Sequence, residues 1–355
     1  MATHKVALVV SNNVWFCPYV YIYTDLLKTR HVDYDIISWN RNGKKEDAIQ
    51  YNYTPTSRSP LMLLWAYRKF ASFVKKTIKK DGYDRLIVFT SQLGIFLCDF
   101  LKQEFEGRYI FDFRDLSLEQ KVYFKRPFLM VLRNSFANVI SSPGFKKYLP
   151  SGFSYILSHN FNVETVRKAF DEQEEMELNR NSIDVLTIGG IRDYETNVQV
   201  MEHLLNVEGF TVRFVGEGPS AADLQKRAEE LNASNVYFEG YYPKEKEKVY
   251  VSEASFLNIF YPRKPSHDTA ISNRFYNSLI YRKPMITTKH TTQGDYAELY
   301  KVGLALESCE NLPYILKSYL ETMDMQQFCQ NSNQLLADFL KDYEVWEKMV
   351  LKFIK

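Results

Sequence analysis

The stretch DVLTIGGIRDYETN, at residues 184–197, shows the structural unit from which this chain is built. A short apolar run typical of a buried β-strand ends at Gly189 and Gly190, and a polar segment follows it. The stretch TVRFVGEGPS, at residues 211–220, repeats this order. Because such strands alternate with longer segments of helical period, the sequence predicts βα units around a mainly parallel sheet.

The alternation extends over the whole chain in two series, and each series predicts one Rossmann-like α/β domain. The strands predicted for the first series lie at residues 5–12, 34–40, 85–91, 108–113, 138–142 and 154–158. Those of the second series lie at residues 184–190, 211–218, 235–242, 254–261, 284–289 and 303–308. A long helix is predicted at residues 61–80, and the acidic segment at residues 171–182 is interpreted as a solvated linker or an exposed helix end.

The length of the chain supports this division into two domains. Its 355 residues exceed the size at which a single hydrophobic core usually stops growing. We predict a first domain at residues 1–165 and a second at residues 166–335. Apolar residues at helical spacing near the end predict a terminal amphipathic helix, residues 336–355, that returns to the first domain.

Composition argues against several functional classes. The net charge of +2 is too small to indicate a nucleic-acid partner. Four scattered cysteines without CxxC spacing favour a reducing compartment, and no apolar run has the length of a signal peptide or a membrane span. We therefore expect a cytoplasmic protein. The histidines and cysteines show no zinc-ligand spacing, so we expect no metal and no cofactor.

Three segments that follow predicted strands are candidates for a phosphate site, because ligands of open α/β sheets bind at the carboxyl ends of strands. In the first segment, Gly190 allows close backbone approach and Arg192 offers a guanidinium fork that suits phosphate oxygens. In the second, Gly216 and Gly218 bracket a sharp turn. The alternative for both segments is an ordinary structural turn.

The third segment is SHDTAISNRFYNSLIYRKP, at residues 266–284. Ser272 is a plausible N-cap, and Asn273 and Arg274 fall in the first turn of the predicted helix. A helix N-terminus stabilises an anion by about 0.3–2 kcal/mol, and a charge-assisted arginine contact adds roughly 1.5–3 kcal/mol. Together they suit a diphosphate. The alternative is that Arg274 only forms a surface ion pair.

The order of these segments resembles the GT-B glycosyltransferases, in particular the retaining enzymes of glycosyltransferase family 4 that build bacterial surface polysaccharides. The resemblance covers nearly the whole chain. It rests on the glycine-ended strand followed by Arg192, then FVGEG, NVYFEGYY, and a helix that ends in Lys-Pro before PMITT. It implies two Rossmann-like domains facing across a cleft, and a metal-independent, hexosyltransferase-type reaction from a nucleotide-sugar donor to a glycan or lipid-linked glycan.

The resemblance also implies roles for residues of the second half. Arg192 and Arg274 would hold the donor diphosphate and stabilise it as the leaving group. Tyr241 and Tyr242 would lie near the base, and the loop at residues 266–269 would approach the donor sugar.

Three positions of the second half depart from the family pattern. Asn277 stands where the ribose-binding glutamate is usual, and Thr269, beside Asp268, stands where the first family glutamate is usual. A lysine that commonly follows Arg192 is absent, with Asn197 near its place. The nucleotide and sugar preference therefore stays open at this point.

The first half supplies candidates for the acceptor side. Asp112, Arg114 and Asp115 end a predicted strand, where carboxylates could face an acceptor hydroxyl. The alternative is an Asp/Arg ion pair that fixes the loop. Further acceptor-side candidates are Asn12 and Asn13, after the first strand, and His159, for which a structural role is the alternative.

Two segments mix aromatic and aliphatic residues with lysine and arginine, LMLLWAYRKFASFVKKTIKK at residues 61–80 and YFKRPFLMVLRNSF at residues 123–136. Basic amphipathic helices favour anionic membrane surfaces. The sequence thus suggests peripheral contact with the inner face of a membrane, and the alternative is a core helix with a basic outer face.

Two rival functions remain beside the glycosyltransferase hypothesis, since fold does not fix chemistry. One is a nucleotide-sugar epimerase on the same architecture. The other is a non-catalytic nucleotide-sugar or glycan-binding protein, which Asn277 and Thr269 make credible.

Overall fold

The computed structural model of the chain describes residues 4–55, 59–171 and 182–355. These residues form two compact units, one made by the chain up to Asn160 together with Lys341–Lys355, the other by Phe161–Leu340. The unit boundaries lie five residues from the predicted domain boundaries at 165 and 335. Apart from its two end residues, the acidic segment predicted as a linker at residues 171–182 lies outside the described residues.

The first unit is built on a seven-stranded parallel sheet in the order β3-β2-β1-β4-β5-β6-β7. Its strands are β1 (Val6–Val10), β2 (Tyr34–Asn40), β3 (Ile49–Asn52), β4 (Arg85–Phe89), β5 (Tyr109–Phe113), β6 (Ala137–Ile140) and β7 (Tyr155–Leu157). Its helices are α1 (Tyr19–Thr29), α2 (Pro60–Asp81), α3 (Ser91–Phe105) and α4 (Lys125–Asn134).

Both faces of this sheet are covered, which explains why its central strands read as continuous apolar runs. Helices α2, α3 and α4 bury one face around side chains such as Trp39, Phe70 and Phe111. On the other face, Tyr23 of α1 packs in a second cluster with Trp346 from the end of the chain. All five residues of β1 are buried between these layers.

The second unit contains a six-stranded parallel sheet in the order β10-β9-β8-β11-β12-β13. Its strands are β8 (Ile183–Ile188), β9 (Phe210–Val215), β10 (Val236–Glu239), β11 (Phe256–Ile259), β12 (Met285–Thr288) and β13 (Gly303–Leu306). Its helices are α5 (Val163–Asp171), α6 (Tyr194–Leu204), α7 (Ala221–Glu230), α8 (Glu247–Glu253), α9 (Pro265–Thr269), α10 (Asn273–Ile280), α11 (Thr292–Leu299) and α12 (Leu312–Thr322).

The last helix, α13 (Met325–Phe353), supplies residues to both units. Phe339 packs in the second unit, with its ring 5.7 Å from that of Tyr276. Trp346 is fully buried in the first unit, where its ring meets Tyr23 edge-on at 4.8 Å. The end of this helix belongs to the first unit, as the predicted terminal helix does, but the helix begins at Met325 rather than at residue 336. Across the described residues, we find no helix with the length and apolar character needed to cross a membrane.

Candidate functional site

A cavity of about 490 Å³ opens at the carboxyl edge of the second sheet. Strand order reverses between β8 and β11, and such a switch point is where open α/β sheets bind their ligands. Segments after β8, β10 and β11 and the start of α10 form its walls. The lining residues are Ile188, Gly189, Gly190, Arg192, Asp193, Tyr242, Lys244, Glu247, Tyr261, His267, Ala270, Ser272, Asn273, Arg274, Asn277 and Gln293.

The predicted glycines of the turn after β9 serve a contact between two loops. Gly216 has a φ of 129°, and a Cβ atom there would overlap the carbonyl oxygen of Gly189. A Cβ atom at Gly218 would overlap the carbonyl oxygen of Ile191 in the same way. Neither Gly216 nor Gly218 lines the cavity. Their geometry is that of the structural alternative, since they let the turn after β9 pack onto the loop after β8.

The loop after β8 presents Arg192 to the cavity as an exposed side chain. Asn197, near the position of the missing family lysine, is buried in α6. Its amide nitrogen donates to the carbonyl oxygens of Arg192 and Asp193, and its amide oxygen accepts from Asn258 at 3.1 Å. Asn197 therefore fixes the loop that carries Arg192 and does not itself reach the cavity.

Asp193 was not among the predicted site residues, and His267 was predicted only as part of the loop at residues 266–269, yet both line the cavity. The Asp193 carboxylate accepts from Lys264 Nζ at 2.7 Å and lies 3.6 Å from Nε2 of His267. The His267 ring packs near Tyr261, with 5.1 Å between the ring centroids. Burial lowers the pKa of His267, so we expect a neutral imidazole at pH 7.

The loop at residues 266–269, predicted to approach the donor sugar, contributes His267 but neither of the candidates named in it. Asp268 forms a bidentate ion pair with Arg263, at 2.8 and 3.1 Å. Thr269 is fully buried and donates to the carbonyl oxygen of Pro265 at 2.8 Å. Asp268 thus ties α9 to the segment before it, Thr269 bonds within α9, and neither lines the cavity.

Arg274 is buried, and its guanidinium donates hydrogen bonds to backbone carbonyl oxygens. Nε donates to the carbonyl oxygen of Ile188 at 2.5 Å, Nη1 to Asn258 at 3.2 Å and Nη2 to Gly190 at 2.9 Å. The surface ion pair considered as an alternative is wrong, because the side chain is buried and its described partners are carbonyls. Arg274 lines the cavity and ties the ends of β8 and β11 to α10, which leaves two of its five N–H groups for a ligand.

The predicted N-cap of α10 is present, since Ser272 Oγ accepts from the backbone N–H of Phe275 at 3.4 Å. Gln293 fixes this cap, because its Oε1 accepts from the backbone N–H and the hydroxyl of Ser272 at 2.9 and 2.8 Å. Asn273 and Asn277 both line the cavity from the same helix. The start of α10 therefore presents amide side chains and a capped helix end to one space.

The wall that follows β10 was only partly predicted. Tyr242 lines the cavity and donates its hydroxyl to Glu247 Oε2 at 2.9 Å, whereas Tyr241 is 79% exposed and lies outside the lining. Lys244 pairs with the other oxygen of Glu247. Burial and the neighbouring Glu247 raise the pKa of Tyr242 well above its ordinary value, so its hydroxyl keeps its proton. Lys244 and Glu247 were missed, because PKEKEK has the composition of a solvated turn.

Asp112 of the first unit does not face solvent. Its carboxylate is fully buried, accepts from Tyr23 Oη at 2.7 Å and pairs with Arg114 at 2.5–2.6 Å. Arg114 also donates to the carbonyl oxygen of Ser158 at 3.0 Å. This is the geometry of the ion-pair alternative, and it corrects the prediction that Asp112 faces an acceptor hydroxyl.

The other charged candidates of the first unit lie in different surroundings. Asp115 is exposed at the surface, and partial desolvation raises the pKa of its carboxyl. His159 is buried, with Nε2 3.0 Å from the Asp342 carboxylate, and burial lowers its pKa. The pair of His159 and Asp342 joins the end of the first unit's sheet to α13, so His159 has the structural role given as its alternative.

The paired asparagines after β1 also serve the fold. Asn13 is fully buried, donates to Asn40 Oδ1 at 2.9 Å and accepts from the backbone N–H of Arg41 at 2.9 Å. Asn12 accepts from the backbone N–H of Asn13 at 2.9 Å. A cavity of about 700 Å³ between α1, β2 and residues 44–49 is lined by none of the acceptor-side candidates.

Metal binding receives no support from side-chain clusters. In the described part of the chain, no group of three or more histidine, cysteine, aspartate and glutamate side chains could hold a metal ion. Metal independence stays a prediction.

Solved structures share the architecture over nearly the whole chain. Sucrose-phosphate synthase from Thermosynechococcus elongatus has a TM-score of 0.67 at 14% identity, covering 98% of this chain and 100% of that one. Anabaena HepE in complex with UDP gives 0.67 at 11% identity, with 98% and 100% covered. WaaG, a glycosyltransferase involved in lipopolysaccharide biosynthesis, gives 0.61 at 11% identity, with 94% and 95% covered. The chain has the GT-B fold.

Comparison of the sequence gives no closer assignment. No family model matches the chain, and no curated protein matches it. At identities of 11–14%, the similarity to solved structures establishes the fold alone.

Proposed function

We propose that this protein is a glycosyltransferase that binds a nucleotide-sugar donor in the cavity of its second unit. The observation that carries the proposal is the meeting of Arg192, Tyr242 and the start of α10 around one space of about 490 Å³. That volume is within the range of small-molecule sites. The GT-B fold, and the UDP and UDP-glucose complexes reported for the similar Anabaena HepE, support the same ligand class.

Two cations are proposed to meet the donor diphosphate, Arg192 and Lys244. Arg192 is exposed at the cavity, and a guanidinium fork suits paired phosphate oxygens. Lys244 takes the place of the missing family lysine from a different wall. Its side chain is 72% exposed, so the ammonium can turn to a phosphate while the buried Glu247 keeps the hydrogen bond from Tyr242.

Arg274 is proposed to act on the diphosphate mainly through the backbone it holds. By fixing the carbonyl oxygens of Ile188 and Gly190, it sets the position of the loop whose backbone approaches the ligand. Its two remaining N–H groups and the N-terminus of α10 add positive potential on the same side.

In the proposed reaction the bond between the donor sugar and the diphosphate breaks, the sugar carbon bonds to the oxygen of an acceptor hydroxyl, and the proton of that hydroxyl passes to an oxygen of the departing diphosphate. Preorganised cations and backbone amides stabilise the diphosphate as it leaves. Retention of configuration, metal independence and hexosyl transfer are proposed from the resemblance to glycosyltransferase family 4. The same holds for a glycan or lipid-linked acceptor in cell-surface polysaccharide synthesis and for a cytoplasmic location.

The test is calorimetric titration of UDP, GDP, ADP and CMP into the wild type and the Arg192→Ala variant. We expect one nucleoside diphosphate to bind, and affinity to fall about 10–150-fold in the variant, the equivalent of a charge-assisted contact of about 1.5–3 kcal/mol. Lys246→Ala is the matched control, since Lys246 is exposed and lies outside the cavity. Failure of the wild type to bind any of the four nucleotides would reject the donor site.

A non-catalytic nucleotide-sugar binding protein is the second candidate, favoured by one observation. Neither position of the usual family glutamates offers a carboxylate to the cavity, because Asn277 carries an amide and Thr269 carries a hydroxyl that is also buried. Tight donor binding without transfer and without slow donor hydrolysis would support it. Isomerised donor formed without acceptor would instead indicate an epimerase.

A further inference from the structure

Two segments of the first unit expose large apolar side chains to solvent. On the first turns of α2, Leu61 is 80% exposed and Trp65 43% exposed. In the turn before α4, Val122 is 75% exposed and Tyr123 91% exposed. Scattered single apolar residues on a surface are ordinary, but four in two short segments need a reason. These four residues are called the edge patch below.

Packing brings the two segments to the same side of α3. The Tyr67 ring of α2 stacks on Phe96 of α3, with 5.7 Å between centroids and 11° between planes. Phe96 in turn lies 6.4 Å from Phe124, which directly follows Tyr123. Both segments also come after strands, since α2 follows β3 and the turn at residues 122–124 follows β5. The edge patch therefore lies towards the carboxyl edge of the first sheet.

Within the two segments that carry the edge patch, all charged side chains are positive. No aspartate or glutamate occurs at residues 59–80 or 121–134. Lysine and arginine residues flank the exposed apolar positions, and none of the following has an ion-pair partner among the described residues: Arg68, Lys69, Lys121, Lys125 and Arg126. The Lys69 ammonium lies 3.7 Å from the Trp65 ring centroid. Aromatic rings beside unpaired cations are typical of surfaces that bind the headgroup region of an anionic bilayer.

The rest of α2 and α4 packs against the first unit itself. Phe128, Val131 and Leu132 of α4 are buried in the core, and Lys79 near the end of α2 pairs with Glu104 at 2.7 Å. Along these lengths, the alternative of a core helix with a basic outer face describes the structure. Only the first turns of α2 and the turn before α4 remain for a membrane.

We propose that the edge patch docks the first unit on an anionic bilayer. Leu61, Trp65, Val122 and Tyr123 enter the interfacial region, and the flanking cations contact lipid phosphates. An anionic bilayer is the occupant that matches this surface, because a partner protein's apolar face would leave the five cations uncompensated. The inference does not rest on the proposed function, since vesicle binding needs no nucleotide.

The experiment is co-sedimentation of the full chain with vesicles of phosphatidylcholine, alone or mixed with phosphatidylglycerol. We expect sedimentation with the mixed vesicles, weakened by added salt, and little with phosphatidylcholine alone. A double variant, Val122→Asp with Tyr123→Asp, should lose at least about tenfold in partitioning to the mixed vesicles. A second double variant, Lys125→Glu with Arg126→Glu, should lose binding as well.

The matched control is a double variant in the second unit, Leu299→Asp with Tyr314→Asp, whose residues are 74% and 73% exposed. It should bind like the wild type, and equal melting temperatures of all variants would show that the folds are intact. Absence of wild-type binding to the mixed vesicles would overturn the proposal, and so would an equal loss in the control. A concentration-dependent dimer abolished by Val122→Asp with Tyr123→Asp, without vesicle binding, would instead assign the edge patch to a second copy.

Discussion

The carbonyl oxygen of Gly189 lies 2.1 Å from the point where a Cβ atom of residue 216 would stand. The same 2.1 Å separates the Ile191 carbonyl oxygen from a Cβ at Gly218. The backbone N–H of Gly189 also donates to Val215 at 2.8 Å, so the two loops are joined as well as close. One wall of the cavity thus depends on two residues that do not line it.

We expect Gly216→Ala and Gly218→Ala each to lower the free energy of unfolding by about 2 kcal/mol or more, since a backbone oxygen is the obstructing atom. Gly240→Ala is the control, because a Cβ there meets nothing within 4 Å, and it should change stability by less than about 0.5 kcal/mol. Urea unfolding of the three variants checks this. Equal stability of all three would contradict the loop contact.

Replacing Arg274 should affect folding before it affects binding. Arg274→Ala removes a donor from two buried carbonyl oxygens, those of Ile188 and Asn258, and from that of the exposed Gly190, so we expect a loss of about 2–4 kcal/mol in the free energy of unfolding. Arg263→Ala removes an exposed ion pair and should cost about 1 kcal/mol or less. Thermal and urea melts measure both. Full stability of Arg274→Ala, with nucleotide binding lost, would show that the guanidinium serves the ligand instead.

Lys244 should matter for phosphate charge rather than for the base. We expect Lys244→Ala to weaken binding of the preferred nucleoside diphosphate about tenfold, and of its monophosphate by less, since a charge-assisted contact contributes roughly 1.5–3 kcal/mol. Calorimetry with both nucleotides and both variants, Lys244→Ala and Lys246→Ala, measures the difference. If Arg192→Ala weakens binding and Lys244→Ala does not, the donor site stands and the role of Lys244 is refuted.

Acid should destabilise the first unit through His159. Burial holds its pKa below the ordinary value of 6.5, so the unfolded chain takes up the proton first as pH falls. Above about pH 6.5 the imidazole is neutral in the folded and the unfolded chain, and its full contribution to stability is present. As the pH falls from there to the pKa of the folded protein, that contribution is lost. We expect His159→Gln to flatten this decline in urea melts between about pH 7.5 and pH 5. The exposed His203→Gln should keep the wild-type slope, and an unchanged slope in His159→Gln would count against the buried neutral histidine.

Strands of the central sheet were predictable because burial on both faces demands continuous apolar runs. The segment at residues 34–40 was predicted with the bounds that β2 has. Strand β3, with the sequence IQYN, was missed, since an edge strand of four residues that is only partly buried carries little apolar signal. Helix α2 was predicted to within a residue at each end, where Ser59 caps its start and Gly82, with a φ of 71°, ends it.

The candidate site was less accessible to sequence reasoning. The cap of α10 follows from local residue preferences, and Ser272 was predicted correctly. The direction of a long side chain is not local, and nothing in the sequence shows that Arg274 turns to carbonyl oxygens contributed by distant strands. The sequence did not indicate Glu247 as a site residue for a similar reason, because its burial depends on Tyr242 and Lys244 packing over it.

Helix α13 makes the first unit discontinuous in sequence, since its last residues are Lys341–Lys355. During synthesis the strands of that unit emerge first, but Trp346 and Phe353 can fill the space beside α1 only after all residues of the second unit have been made. The second unit needs no later segment and can complete its fold earlier. The unit whose strands are made first is therefore completed after the second unit, and until residues 341–355 have been made the face beside α1 stays uncovered.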